Sequence, residues 1–184
     1  CGQPDVVCLQ ELKMSDAAYL SAALSAGRGS GLPYHAVCVS SMGTSHSRGV
    51  AVLVRSGSSA SVVSDVAAPV RDAEGRIVRV DLECFGTSFS VASVYAPNAG
   101  HAAFFSDLDQ YLPSTWPCML GGDFNCILDG QLDQTNSGHS RLAGAPALKG
   151  LMERHHLADA LRLLHPDAGT AYVTHYDTRR VSAA

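Results

Sequence analysis

Short apolar runs separated by polar turns dominate the chain. Residues 5–9 and 49–54 are almost wholly apolar, which predicts strands covered on both faces. Residues 34–39 and 60–66 are further strand candidates, with a polar loop over 40–47. Along 76–82 apolar and charged residues alternate, which predicts a strand with one face in water. Asp72-Ala73-Glu74-Gly75 reads as the turn leading into it. Phe85-Gly86-Thr87 turns the chain into another strand over 89–95, and Ala96-Pro97-Asn98-Ala99-Gly100 breaks that strand. Residues 116–120 are strand-like, and 172–176 fit the opening of a last strand. Helical spacing is confined to a few stretches. Tyr19, Leu20, Ala23 and Leu24 form an apolar stripe over 15–26, capped by Ser15 or Asp16 and stopped by the glycines of 27–31. The others are 101–112, 145–156 and 157–164, the last ending before Pro166. Residues 131–140 form a long polar loop. Hairpins standing beside strand–helix units predict an α/β fold: two packed mixed β-sheets flanked by helices, a four-layer α/β sandwich. No repeat or internal boundary divides the chain, so residues 1–184 read as one domain.

Composition narrows the class. Of 184 residues, 46% are apolar and 16% charged, which excludes a disordered tail or a coiled coil. No apolar run reaches the ~18 residues of a membrane span. The net charge of −4 argues against bulk electrostatic binding of nucleic acid, but not against an enzyme that touches a few phosphates. Six cysteines form no C-x-x-C pair. With no basic, apolar leader in the opening residues, they read as reduced, mostly buried thiols of an intracellular protein, nuclear or cytoplasmic and not secreted. Eight histidines include no i,i+4 pair, so a zinc site is not expected. No phosphate-binding glycine loop is complete.

Three polar sets follow apolar runs, at the C-terminal ends of predicted strands, where loops carry sites on a rigid scaffold. They are Gln10-Glu11, Tyr95-Ala96-Pro97-Asn98 and Gly122-Asp123-Phe124-Asn125. Taken alone, each has a plain structural reading. Glu11 reads as a surface salt bridge, Tyr95 to Asn98 as a strand end with a proline turn, and Asp123-x-Asn125 as an Asx turn. The alternative is a shared site. A carboxylate past a buried strand needs a partner or a metal. Asp123 and Asn125, two apart on a strand, would share a face, and the preceding glycines permit close backbone approach. Arg48, Arg76 and Arg79 have the fork geometry to grip a phosphate, or else sit solvated; Arg48 counts among the substrate-binding candidates. Asp159 reads as a helix-surface or core-edge acid.

The order Gln10-Glu11, Arg48-Gly49-Val50, Tyr95-Ala96-Pro97-Asn98 and Gly121-Gly122-Asp123-Phe124-Asn125 resembles the endonuclease/exonuclease/phosphatase superfamily. The longer run through Cys126-Ile127-Leu128-Asp129, with Leu132-Asp133 and Leu157-Ala158-Asp159-Ala160-Leu161-Arg162 downstream, looks like the endonuclease domain of LINE-type non-LTR retrotransposons. The resemblance covers nearly the whole chain. It implies a divalent-metal-dependent endonuclease that nicks a target DNA duplex to prime reverse transcription, with no membrane partner and a reverse transcriptase domain further along the full-length protein. Under it, Glu11 holds the metal, magnesium or alternatively manganese. Asp123 orients or deprotonates the attacking water. Asn125 shares the pocket and contacts the phosphate, and Tyr95 and Asn98 position the phosphate and stabilise its developing charge. An Asn-bearing strand before Gln10 and an acid–His strand near the C-terminus complete the family's pattern. The chain is expected to begin after the first and end before the second, incomplete at both termini, and the context of His175 does not make it the missing histidine. Other branches of the superfamily imply an abasic-site nuclease or a phosphoinositide or sphingolipid phosphodiesterase. A non-catalytic remnant is the reading from another class.

Overall fold

The computed structural model describes residues 4–15, 37–44, 46–55, 60–62, 69–133 and 141–167. The helix expected over 16–26, the glycine turn over 27–31 and the strand over 172–176 lie outside the described residues. The chain divides into two compact units, Cys1–Ala96 with Asp107–Phe124, and Pro97–Ser106 with Asn125–Ala184.

The first unit holds two sheets. One is antiparallel: β1 (Val6–Leu9) and β2 (Val37–Ser41) flank β3 (Val50–Val54). The other runs in the order β4 (Ala60–Val62), β6 (Ile77–Cys84), β7 (Thr87–Tyr95), β8 (Cys118–Asp123), with β5 (Val70–Arg71) also paired to β6. The sheets share a core in which Val50, Val52 and Val54 of β3 cluster with Val78, Val80 and Leu82 of β6 and Val91 of β7. Each such side chain contributes roughly 1.5–3 kcal/mol on burial. Every residue of β3 is buried, as its apolar run predicts, because it is the central strand. The same expectation for 5–9 is corrected: β1 is half-buried throughout, and among the described residues it pairs with β3 alone.

The expected wet face of β6 is also corrected. The side chains of Arg79 and Asp81 are only 13% and 11% exposed, with Arg79 Nε 3.2 Å from Asp81 Oδ1. Arg79 Nη1 donates to Tyr111 O at 2.7 Å, Ser90 Oγ to Asp81 Oδ1 at 2.6 Å, and Trp116 Nε1 to Ser90 Oγ at 3.0 Å. The 3-10 turn Asp109–Tyr111 and Trp116 thus complete a polar layer where the alternation suggests water. Arg79 is consumed by this layer and is neither solvated nor available to a phosphate.

β6 and β7 form the expected hairpin. Phe85 and Gly86 both have positive φ (50° and 76°), as a two-residue type I′ turn demands. β7 and β8 pair in parallel, so residues between them must cross over, and α1 (His101–Leu108) lies in that connection. The strand expected over 116–120 starts later, at Cys118, and runs on through both glycines to Asp123. A side chain at Gly122 would put its Cβ 1.9 Å from Val94 O, and one at Gly121 would crowd Cys8 Sγ at 3.0 Å. The glycines bring β8 close to β7 and to β1, rather than admitting a ligand.

In the second unit, α2 (Ala145–Arg154) buries Ala145, Leu148 and Leu151, one apolar stripe. α3 (Ala160–Leu164) is shorter than the helix expected over 157–164, because Asp159 caps it by accepting from Arg162 N at 3.1 Å. Arg162 Nη2 in turn lies 2.6 Å from Asp133 Oδ1, while Asp133 Oδ2 accepts from Leu128 N (3.2 Å) and Asp129 N (2.8 Å). No helix among the described residues is long and apolar enough to cross a membrane. The thiols of Cys8, Cys84, Cys118 and Cys126 are half-buried rather than buried. Burial pushes the Cys8 thiol up, and the Cys118 thiol up to about 12.

Candidate active site

Three elements of the first unit end at one edge. β1 hands on to Gln10 and Glu11, β7 ends at Tyr95, and β8 ends at Asp123. Gln10 fixes their alignment: its Nε2 donates to Ser93 Oγ at 2.9 Å, and the fully buried Ser93 donates to Leu9 O at 3.0 Å. This pair of bonds ties the end of β1 to β7 across the two sheets. The chain then turns through Glu11 (φ 52°) and Lys13 (φ 53°), pinned by Leu12 N to Gly49 O (3.0 Å) and Lys13 N to Arg48 O (2.8 Å).

This backbone places the Glu11 carboxylate over Tyr95. The Tyr95 hydroxyl donates to Glu11 Oε1 at 2.5 Å, and Lys13 Nζ lies 3.3 Å from Oε2. The hydroxyl bond first, and then Lys13, hold the Glu11 carboxyl below its usual range. The same bond, followed by burial and the charges of Glu11 and Asp123, raises the Tyr95 phenol to about 12, with Arg76 opposing. At neutral pH the phenol is therefore a hydrogen-bond donor and not a base. Asp123 stands beside Tyr95 in the parallel register, with Ala96 N donating to Asp123 O at 2.8 Å. Adjacent strands lie about 4.8 Å apart, and the exposed Asp123 carboxylate is near enough for its charge to act on the phenol.

Glu11, Tyr95 and Asp123 are thus brought together from widely separated parts of the chain. The Arg48 side chain meets Glu74 rather than Glu11, Tyr95 or Asp123: its Nη1 lies 3.2 Å from Glu74 Oε2. Asn98 and Asn125 belong to the second unit. Asn98 is exposed in the bend after β7. Asn125 does not share a strand face with Asp123, because β8 stops at Asp123 and Asn125 takes a left-handed φ of 48°. Asparagine tolerates that conformation better than most residues, and it ends the strand. Asp159 is a helix cap, and His175 lies outside the described residues.

Sequence reasoning placed Arg76 on a phosphate or in solvent, and missed its place against Tyr95. It is neither solvated nor directed outward; its side chain is 16% exposed and its guanidinium lies 5.4 Å from the centroid of the Tyr95 ring. The β6–β7 register sets Arg76 against Tyr95, and no local pattern announces that pairing. Lys13 was passed over, and Glu74 was read only as part of the 72–75 turn.

The residues present suit a hard cation. Among the described residues no three metal-ligating side chains cluster. An ionised, exposed Glu11 with a second carboxylate on the same edge nevertheless fits an ion that keeps most of its waters. A two-sheet α/β sandwich whose strand ends gather two acids and a phenol has the layout of a phosphoester hydrolase. The chain belongs to the endonuclease/exonuclease/phosphatase family, whose model matches residues 2–182. No curated protein matches it. Membership implies a hydrolase of the phosphodiesterase or nuclease type, in a family whose enzymes generally use divalent metals.

Proposed function

We propose that the protein is a magnesium-dependent DNA endonuclease, which nicks a target duplex so that the freed 3′-hydroxyl primes reverse transcription by a downstream polymerase domain. The observation that supports it most is the 2.5 Å bond between Tyr95 and Glu11 with Asp123 on the adjoining strand. Phosphodiester hydrolysis needs an activated water, neutralisation of the non-bridging oxygens and help for the leaving oxygen. Asp123, exposed and at a strand end, is the group to orient the water and take its proton. Tyr95, held protonated, donates to a phosphate oxygen. Glu11 would hold the metal, with manganese as the substitute, and the ion would supply charge neutralisation. Arg48 is the cation proposed for the flanking backbone. The LINE-type assignment rests on the run from Gly121 to Asp129 together with Asp133, Asp159 and Arg162. The last three are engaged with one another as scaffold in the second unit.

The test is nicking of supercoiled plasmid, compared with an abasic duplex and an inositol phosphate. Asp123→Ala is expected to abolish nicking, a loss of about 10²–10³-fold or more, with an unchanged circular dichroism spectrum. EDTA is expected to stop the reaction and magnesium to restore it. Nicking that survives Asp123→Ala removes Asp123 from the mechanism. Preference for the abasic duplex or the inositol phosphate moves the protein to another branch of the family.

A further inference from the structure

The turn before β6 holds one residue rigidly. Asp72 accepts from the backbone N–H of Arg76 (3.0 and 3.1 Å) and of Ile77 (3.0 Å), and Ser41 Oγ donates to Asp72 Oδ1 at 2.9 Å. Gly75 has φ 75°, and a Cβ there would lie 2.5 Å from Met42 O, so the turn accepts glycine alone. Tyr95 N donates to Arg76 O at 2.8 Å, closing β6 against β7. On this base the guanidinium makes three contacts. Nη1 donates to Tyr95 O at 3.1 Å, the cation lies against the Tyr95 ring, and Nε is 3.4 Å from Glu74 Oε2. Glu74 also meets Arg48, so its carboxylate is shared between the two cations. Tyr95 is consequently restrained at its carbonyl, its ring face and its hydroxyl, the first two by Arg76.

We infer that Arg76 is a positioning residue for the hydrolysis proposed above: it holds the Tyr95 phenol on the Glu11 carboxylate and does not itself touch the phosphodiester. The inference rests on that reading of the site. A planar fork on a short tether can serve carbonyl, ring and carboxylate together. Lysine keeps the charge and the ring contact but not the fork.

Arg76→Gln and Arg76→Lys are compared with the wild type in two ways. The first is independent of cleavage: ζ-13C-tyrosine NMR, with the Tyr95 signal identified by its loss in Tyr95→Phe. The signal is expected to shift in Arg76→Gln and to return part of the way in Arg76→Lys. The second is plasmid nicking in magnesium. There kcat is expected to fall about 10–100-fold in Arg76→Gln with KM held within about twofold, because misplacement of a reacting group costs rate rather than affinity. In a Tyr95→Phe background the further loss is expected to be under about twofold, since two residues acting as a unit are not additive. Circular dichroism checks folding, and Arg76→Lys carries the test should Arg76→Gln unfold. An unmoved Tyr95 signal overturns the inference whatever the protein cleaves. A raised KM with unchanged kcat also overturns it, by making Arg76 a phosphate contact, and so does full additivity with Tyr95→Phe. A moved signal in a protein that cleaves nothing defeats the nuclease reading and leaves the placement of Tyr95 by Arg76 standing.

Discussion

Tyr95 and Glu11 share one proton-bearing contact, and its consequences run in opposite directions with pH. The Glu11 carboxyl is held low, so its contribution to stability is present above the ordinary carboxylate range and is lost as pH falls through its folded value. The side chain is half exposed, and solvent screening keeps that contribution small. The Tyr95 phenol is raised from 10.0 to about 12, so its contribution is complete below pH 10 and is lost between 10 and about 12. Tyr95→Phe is expected to flatten the alkaline limb of a stability–pH curve measured by urea unfolding; an unchanged limb refutes the assignment. The hydroxyl is the leading cause of the Glu11 shift, ahead of Lys13. Carboxyl 13C titration is therefore expected to show Glu11 moving up further in Tyr95→Phe than in Lys13→Ala.

Among the elements, the β6–β7 hairpin and the β7–β8 pair make contrasting demands. Phe85 occupies the first position of the type I′ turn, 89% exposed and with a positive φ. A left-handed conformation costs a residue with a Cβ roughly 1–2 kcal/mol, and asparagine bears it best. Phe85→Asn is thus expected to stabilise the protein by about 0.5–1 kcal/mol, read as a higher denaturant midpoint with an unchanged slope. Gly122→Ala has the opposite sign. Its Cβ would press on the Val94 carbonyl, in a strand pair with no room to part. A loss of roughly 1–3 kcal/mol or more is expected, with nicking falling further than stability because the Asp123 end of β8 is displaced. A Gly122→Ala protein as stable as the wild type would show that the two strands can separate freely.

For the molecule as a whole, a bound cation links the site to global stability. A ligand that binds only the folded state at ten times its dissociation constant adds about 1.4 kcal/mol. Magnesium is expected to raise the melting temperature of the wild type and not that of Glu11→Gln, as followed by differential scanning calorimetry. An equal rise in both proteins removes Glu11 from metal binding. At the same scale, a net charge of −4 predicts that affinity for DNA depends on a few local cations, so it should fall only gently with salt.

Much of this was legible in the chain because it is local. The all-apolar run of β3, the alternation in β6, the turn residues at 72–75 and 85–86 and the amphipathic spacing of α2 are each set by neighbouring residues acting through backbone geometry and burial. Glu11, Tyr95 and Asp123 stood out as polar groups at strand ends for the same reason. What local pattern could not carry was partnership. Arg79 and Asp81 look like a wet face until a distant turn covers them, and β1 looks covered on both faces until it proves half-buried. Whether Arg76 meets solvent, a phosphate or the ring of Tyr95 depends on strand register, and register is decided by long-range pairing and packing of whole sheets. The amino-acid order determined which groups the protein possesses and which elements present them; only the tertiary structure decided which groups share an environment, since hydrogen bonds and charges act across a few ångströms of space, whatever the separation along the chain.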